Sequence, residues 1–540
     1  MKRPRLWMPL FTVLITAAAI LGGQALDRPD LDALYKIKEE GFQRSEVMEI
    51  VGYLTDIYGP RLTNSPNIKA AAKWTTARMT DWGLTNVRLE PWGPFGRGWS
   101  NDKFYLQATA PQKYPIVGFP KAWSPGTNGL VDGEAVVAVI TSAKDVETYR
   151  GKLQGKIVMT APAAVVAASI APLSSRYDDK RLDELSREPA PLPPVGRGGP
   201  PARGGGPSEA QELNRVRAEF FASEGIVATL EPSRGVNGGT IFVQGPPAGG
   251  RGNPMAFRDP KAPKSFPQLV IAAEHYNRIM RTLEKKIPVR LEMNVENKFY
   301  DDDLNAFNIV GDILGTDLDG EIVMLGAHFD SWHGGTGATD NAAGSAVMLE
   351  AMRILHATGL KMRRTVRIAL WTGEEQGLLG SRAYVRDHFA DRPKMALKPE
   401  HAKLSAYFNV DNGTGAIRGV YLQRNEAVAP VFQAWMEPFR NIGMTTLSIR
   451  NTASTDHVAF DEVGLPGFQF IQDAVEYDTR THHSNMDVYD RIQPSDMIQN
   501  AVIVASFVYN AANRDQKLPR KPLPKPPPPN PAAGQPTQTP

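Results

Sequence analysis

The sequence has 540 residues, which is too many for one ordinary hydrophobic core, so its length favours two domains with flanking tails. Apolar residues make up 42% of the chain and charged residues 22%, as expected for a globular protein. The net charge of +3 gives no case for a protein that binds nucleic acid or an anionic membrane surface.

The N-terminal segment is typical of a secretory signal peptide. Basic residues near the start precede an apolar run of roughly fifteen residues. Gly23 and Ala25 place small side chains before a cleavage point, so we expect removal of residues 1–25 and a mature chain that begins near Leu26. The alternative is an uncleaved membrane anchor, although the run is short for a membrane span. The pattern predicts a periplasmic or secreted protein with no membrane contact after cleavage. The absence of cysteine means that no disulfide staples it.

The next two segments differ in their sequence pattern. Residues 27–114 predict helices followed by a strand. Residues 115–295 contain the short apolar runs "LVDGEAVVAVI", "GKIVMTA", "GIVATL" and "GTIFVQG", separated by turns with glycine, which predict an inserted β-rich domain. Within this insert, residues 188–207 are so rich in proline and glycine that we expect a mobile loop.

Residues 296–512 alternate apolar runs of strand length with helical stretches. The strand-like runs are "EIVMLGA", "TVRIALW", "LSAYFNV" and "PGFQFIQ". This alternation predicts an α/β fold with a mostly parallel sheet covered by helices. Residues 513–540 are rich in proline and predict a disordered tail.

Ionisable side chains follow the ends of all four of these runs. In chain order they are His328, Asp330, Asp340, Glu374, Glu375, Asp411, His482 and His483. Each one alone has an ordinary explanation, such as a surface position or a helix cap. Their joint occurrence indicates a site, because ligands of open α/β sheets bind beyond the carboxyl ends of the strands. Histidine and carboxylate without cysteine suit one or two zinc ions, and a bridging carboxylate could serve both.

Several motifs in this block resemble those of the co-catalytic zinc exopeptidases: "GAHFDSW", "GTGATDNAAGSAVMLEA", "WTGEEQGLLGS", "NVDNGTG" and "HHSNMDVYDRI". That family includes bacterial leucyl aminopeptidases, carboxypeptidase Q and glutamate carboxypeptidases. The "HFDSW" and "HHS" forms lean towards the carboxypeptidase Q branch, and the insert resembles a protease-associated domain. The resemblance implies that residues 27–114 and 296–512 are two parts of one peptidase domain.

The resemblance also implies a role for each site residue. Two histidines and three carboxylates would bind two zinc ions: His328 and Asp411 one ion, Glu375 and His483 the other, and Asp340 both. Glu374 would be the general base, and Asp330 would orient the ring of His328 through its second nitrogen. Asp456, in "STDHVAFDEVGLPG", would support the site. His333 stands where carboxypeptidase Q relatives tend to carry an acid.

The expected reaction is hydrolysis of a terminal bond of a peptide or dipeptide by water that two zinc ions activate. Cleavage at a carboxyl terminus would also need a cation for the terminal carboxylate, and Arg480 and Arg450 are candidates. Two alternatives are a single-zinc glutaminyl cyclase-like transferase and a catalytically dead receptor-like binding protein. Metal stoichiometry separates the three. The sequence leaves the choice of terminus and the oligomeric state open.

Overall fold

Most of the chain is described by the computed structural model, which covers residues 27–189, 209–234, 238–246, 256–263 and 265–526. The predicted signal peptide and most of the predicted mobile loop therefore lie outside the described residues. Among the residues that are described, no helix is both long and apolar enough to span a bilayer.

The described residues form strands and helices with the following bounds. The strands are β1 (Thr85–Trp92), β2 (Gly98–Ala110), β3 (Tyr114–Pro115), β4 (Gly118–Pro120), β5 (Val131–Val137), β6 (Ile157–Met159), β7 (Ala228–Pro232), β8 (Gln268–Ile271), β9 (Arg290–Tyr300), β10 (Ala306–Ile313), β11 (Leu318–His328), β12 (Arg364–Trp371), β13 (Ala390–Asp391), β14 (Ala396–Leu397), β15 (Leu404–Asn409), β16 (Ile417–Tyr421), β17 (Thr446–Ser448) and β18 (Gly467–Gln472). The α-helices are α1 (Leu31–Gln43), α2 (Val47–Gly52), α3 (Pro66–Asp81), α4 (Val146–Tyr149), α5 (Asp179–Arg187), α6 (Glu209–Glu224), α7 (Ala273–Glu284), α8 (Ala343–Ala357), α9 (Leu379–His388), α10 (Ala429–Met436), α11 (His457–Asp461) and α12 (Pro494–Asn513).

The first large sheet has the four predicted strands at its centre. Its strands lie in the order β1–β10–β12–β11–β15–β18–β16–β17. The neighbours β12, β11, β15 and β18 are parallel, whereas β1, β10 and β16 join the sheet through antiparallel pairs. The predicted α/β fold class is confirmed, and the antiparallel pairs flank the parallel centre. The carboxyl ends of the four central strands therefore meet at one edge.

Helices cover both faces of this sheet, which explains the continuous apolar runs. Along β11, Val323 and Leu325 belong to a core that includes α8 and α12. The alternate residues Ile322 and Met324 belong to the core on the other face, which includes α9 and α11. A strand buried on both faces has no place for a polar side chain until it ends, and His328 is its last residue.

The second large sheet is broader than the predicted insert. Its order is β3–β2–β9–β5–β6–β7–β8–β4. It includes β2, which precedes residue 115, and β9 continues past residue 295 to Tyr300. Helices α4 to α7 lie in the same segment, so the segment is mixed α/β in composition. The prediction of a sheet strand at "GTIFVQG" is wrong, because Phe242 forms only an isolated bridge with Ser484.

The first part of the proline-rich tail is ordered against the first sheet. Leu518 is buried, and the Asn425 side chain donates a hydrogen bond to the carbonyl of Pro519 at 2.7 Å. Arg520 donates to the carbonyl of Leu404 at 2.6 Å. The prediction of disorder is therefore wrong for this part, because specific polar contacts hold a segment that its composition made unlikely to fold. Residues 527–540 lie outside the described residues.

His388 of α9 provides a pH-dependent link to two neighbouring elements. Its Nε2 lies 2.6 Å from Oε1 of Glu90, and its Nδ1 lies 3.0 Å from Oε2 of Glu400. The hydrogen bond to Glu90 raises the pKa of His388, against the effect of burial. Because the folded pKa exceeds the unfolded value of about 6.5, the stabilisation is fully present below that pH and is lost as pH rises through the folded pKa.

We expect His388→Gln to lower the free energy of unfolding by roughly 1 kcal/mol at about pH 5.5, and by less at about pH 9. Urea unfolding of the wild type and the variant at both pH values measures the difference. An equal loss at the two pH values would contradict a role for the charged imidazole.

Candidate metal centre

The predicted ligands leave the first sheet at the ends of its parallel strands. His328 ends β11, and Asp411 follows β15 after one intervening residue. Glu375 lies in the turn after β12, and His483 lies in the longer loop after β18. Asp340 lies in the loop between β11 and α8. Elements that are distant in sequence thus deliver these five side chains to one edge.

Asp340 lies between the two histidines. Its Oδ1 is 3.2 Å from Nε2 of His328, and its Oδ2 is 3.2 Å from Nε2 of His483. Nε2 of His328 is also 3.2 Å from Oδ1 of Asp411, and Nε2 of His483 is 2.9 Å from Oε2 of Glu375. The five residues form one chain of contacts with Asp340 at its centre and one histidine–carboxylate pair on each side.

His482, which precedes His483, lies further from this chain of contacts. Its Nε2 is 3.8 Å from Oδ2 of Asp340. It still belongs to one of the groups of side chains near enough to share an ion, together with Asp340 and His483. The shorter contacts of His483 agree with its selection as the ligand.

The donor atoms of the site suit a bound cation. His328, Asp340 and Glu375 each offer a ligand atom, and these atoms lie within 4.8 Å of one another. Oε1 of Glu375 is buried and has no hydrogen-bond partner among the described residues. A buried carboxylate oxygen without a partner is costly, and a metal ion satisfies it. Imidazole and carboxylate ligands without thiolate fit zinc.

The carboxylates of the site oppose one another's ionisation. Burial, reinforced by the charge of Asp340, raises the pKa of Glu375 to about 7. Burial also raises the pKa of Glu374 well above its usual value, although His328 acts in the opposite direction. The guanidinium of the buried Arg61 nearby donates to four backbone carbonyl groups, and it forms no ion pair with these carboxylates within the described part of the chain. A divalent cation would offset the repulsion between these carboxylates.

Asp330 holds the turn that carries the two glutamates. Its carboxylate accepts hydrogen bonds from the backbone N–H of Glu374 at 3.3 Å and of Glu375 at 3.4 Å. The hydroxyl of Thr63 donates to the same carboxylate at 2.7 Å. Gly373 has a φ of 72°, a conformation that favours glycine and lets the chain turn sharply before the glutamates. The contact with Thr63 is absent from the sequence prediction.

The ring of His328 contacts Asp330 through Nδ1, its second nitrogen. Nδ1 lies 2.9 Å from the backbone carbonyl oxygen of Asp330 and 3.7 Å from its carboxylate. Nδ1 therefore donates its hydrogen to the carbonyl, which leaves the lone pair of Nε2 for a metal. The carboxylate of Asp330 instead accepts from the turn after β12.

Asp487 fixes the loop that carries Asp340. One of its carboxylate oxygens accepts a hydrogen bond from the backbone N–H of Thr339 at 2.5 Å, and the other accepts from that of Asp340 at 3.2 Å. Asp487 lies four residues after His483, within the motif "HHSNMDVYDRI". Its contact with Asp340 adds a positioning role that the sequence did not predict.

Asp456 lies in the same buried region without contacting the metal donors. Both of its carboxylate oxygens are buried and lack a hydrogen-bond partner in the described part of the chain. Burial raises the pKa of Asp456 to about 7, while His328 acts to lower it. A supporting position for Asp456 agrees with this placement.

Other candidates from the sequence are engaged elsewhere. Nε2 of His333 donates to the carbonyl of Pro120 at 2.7 Å, so this ring lies outside the group of metal donors. Arg450 pairs with Glu188. Arg480 makes a longer contact with a carboxylate of its own loop.

A cavity of about 650 Å³ adjoins the loop of His483. Arg480 and Met486 line it from that loop, and Phe242 and Val165 line it from the segment of the second sheet. Nη1 of Arg480 contacts Glu476 at 3.5 Å. The cavity therefore offers apolar side chains and the cation Arg480 close to the loop of His483.

Comparisons with known sequences find similarity to peptidases. Residues 308–508 match peptidase family M28, and the match contains every predicted metal ligand. Carboxypeptidase Q of Mus musculus is 25% identical over 491 residues, which are 90% of this chain and 90% of that protein. Aminopeptidase YwaD of Bacillus subtilis is 30% identical over 203 residues, which are 36% of this chain and 42% of that protein.

Solved structures share the fold. A peptidase M28 precursor from Shewanella amazonensis superposes with a TM-score of 0.61 at 23% identity, covering 92% of this chain and 98% of that chain. A zinc aminopeptidase from Bacillus subtilis superposes with a TM-score of 0.54 at 19% identity, covering 87% and 95%. The arrangement of the two sheets is therefore one that occurs in peptidases of this kind.

Proposed function

We propose that this metallo-exopeptidase, which matches peptidase family M28 over residues 308–508, removes terminal residues from peptides or dipeptides with two zinc ions and Glu374 as general base. The position of Asp340 carries the two-metal part of this proposal. Each of its oxygens lies 3.2 Å from Nε2 of a different histidine. A ligand shared by two ions needs this arrangement, with Asp411 and Glu375 completing the two pairs.

Glu374 transfers the proton in this proposal. Zinc held by these residues would supply positive charge that lowers the pKa of a water molecule and polarises a carbonyl group. Glu374 accepts a proton from the attacking water, whose oxygen adds to the scissile carbonyl carbon. The C–N bond then breaks, and Glu374 returns the proton to the leaving amine, so one water is consumed for each bond. Asp330 keeps this carboxylate in place through the backbone N–H of Glu374.

The choice between the two chain ends follows from what binds the rest of the substrate. The relatives include both a carboxypeptidase and an aminopeptidase. Arg480 supports cleavage at a carboxyl terminus, because it lines the cavity beside His483 and could pair with a terminal carboxylate. Both arginines that the sequence offered for this role contact a carboxylate, Arg450 that of Glu188 and Arg480 that of Glu476, and the contact of Arg480 is the longer one at 3.5 Å.

A panel of peptides and dipeptides with free, acetylated and amidated ends tests the proposal, with products identified by mass spectrometry. We expect release of single terminal residues, and loss of cleavage when one end is blocked. Cleavage of no member of the panel by zinc-loaded protein would contradict an exopeptidase function. Neither the cyclase-like transferase nor the inactive binding protein finds support in the comparisons, which name peptidases.

We also propose that the protein is exported. The mature chain is expected to begin near Leu26, because Gly23 and Ala25 supply the small side chains that a signal peptidase needs. N-terminal sequencing of the exported protein measures this directly. Recovery of intact Met1 in the membrane fraction would favour an anchor instead.

A further inference from the structure

The loop of His483 is bound by the segment 239–245, which is the run "GTIFVQG" that the sequence assigned to the second sheet. The backbone N–H of Val243 donates to the carbonyl of His483 at 3.1 Å, and the N–H of Asn485 donates to the carbonyl of Ile241 at 3.0 Å. The side chain of Asn485 accepts from the N–H of Ile241 at 2.7 Å. The segment thus pairs with the metal loop and not with the sheet.

This pairing matters because His483 has an unusual backbone conformation. Its φ is 61°, in the left-handed region that residues other than glycine rarely adopt. Such a conformation persists only where surrounding contacts hold it. The bonds on either side of His483, from Val243 and to Ile241, supply those contacts.

The same segment also reaches the ring of His483. The side-chain amide nitrogen of Gln244 lies 2.9 Å from Nδ1 of His483. When Nε2 of His483 binds a metal it carries no hydrogen, so Nδ1 carries the hydrogen and can donate it. Turning the Gln244 amide by 180° keeps its shape and brings the oxygen to Nδ1, where it accepts this hydrogen bond.

We infer that Gln244 is a positioning residue for zinc, which fixes the orientation and tautomer of His483 and makes the affinity of one zinc ion depend on the segment 239–245. The inference rests on the proposed two-zinc function. It differs from the arrangement at His328, where a backbone carbonyl performs the same task and no side-chain substitution can remove it. Only the ion held by Glu375 and His483 is therefore sensitive to a single side chain of this segment.

Three variants test the role of the amide. Gln244→Met keeps the length of the side chain but cannot accept the hydrogen bond from Nδ1. Gln244→Glu keeps the shape and accepts the bond with a carboxylate, the commonest partner of a zinc-bound histidine. Gln154→Met is the matched control, because Gln154 is an exposed glutamine in a turn before β6.

Zinc affinity is measured for each ion by competition with a chelator, and thermal unfolding of the zinc-free proteins checks the fold. Gln244→Met should weaken one zinc ion by roughly 10- to 100-fold and leave the other unchanged. Gln244→Glu and Gln154→Met should keep both affinities.

Two outcomes would overturn the inference while the two-zinc function stands: wild-type affinity in Gln244→Met, or an equal loss in Gln244→Met and Gln244→Glu. The second outcome would mean that any change at this position disturbs packing. Binding of fewer than two zinc ions by the wild type would instead overturn the proposed function, and the inference with it.

Discussion

Replacement of Glu374 with glutamine is expected to lower kcat by roughly 10²- to 10⁴-fold, the usual range for a lost general base. The amide has nearly the shape of the carboxylate but cannot take the proton of water. KM should change little, because substrate binding does not use this proton. The fold and both zinc ions should be kept, since Glu374 lies outside the chain of contacts centred on Asp340. Measurement of kcat, KM and zinc content on the same preparation gives the result.

The neighbouring glutamate provides a matched control for Glu374→Gln. Glu375→Gln makes the same chemical change one residue further along the same turn, but it removes a carboxylate that contacts His483 at 2.9 Å. We expect it to lose zinc affinity first, and to recover activity when zinc is added in excess. Near-wild-type turnover in Glu374→Gln with both metals bound would show that another group moves the proton.

The sequence could predict that these candidate ligands lie at strand ends, because the pattern that marks a strand end is local. A strand buried on both faces reads as a continuous apolar run, and its end is marked by the first charged side chain. His328 after β11 and Glu375 after β12 follow this rule, and the parallel order of the sheet then brings the strand ends together. The resemblance to co-catalytic zinc exopeptidases suggested which ligands share an ion, a question that local sequence patterns left open.

The contacts that orient these donors were not predictable in the same way. Gln244 lies far from His483 in sequence, and nothing in its neighbours distinguishes its amide from a surface side chain. The run around it has the composition of a strand, and a strand-like segment can pair with any free edge. The sequence alone could not show whether this run pairs with the edge of the second sheet or with the loop of His483.

The prediction of disorder was wrong for the packed part of the tail for a related reason. Its prolines remove backbone donors and predict an extended, unpacked chain. The carbonyl of Pro519 nevertheless accepts from the side chain of Asn425, in the loop after β16, and the side chain of Arg520 donates to the carbonyl of Leu404 in β15. The composition of a segment indicates which hydrogen bonds it cannot make within itself. It does not indicate which hydrogen bonds the segment can make with a neighbouring surface.

Replacement of Asp340 with alanine is expected to weaken both zinc sites at once. This single carboxylate faces Nε2 of His328 with one oxygen and Nε2 of His483 with the other, so its removal takes a ligand from each pair. The loss for each ion should exceed the roughly 10- to 100-fold that follows loss of a mere outer partner, and activity should fall with it. Glu375→Ala, which removes a ligand from one pair only, should mainly weaken one ion.

Asp461→Ala is the control for loss of a partly buried carboxylate, because Asp461 pairs with Lys521 and not with the metal donors. Zinc content and chelator competition, measured on the three variants and the wild type, decide between the alternatives. If Asp340→Ala kept one ion with wild-type affinity, Asp340 would belong to a single site, and two zinc ions would need a different shared ligand.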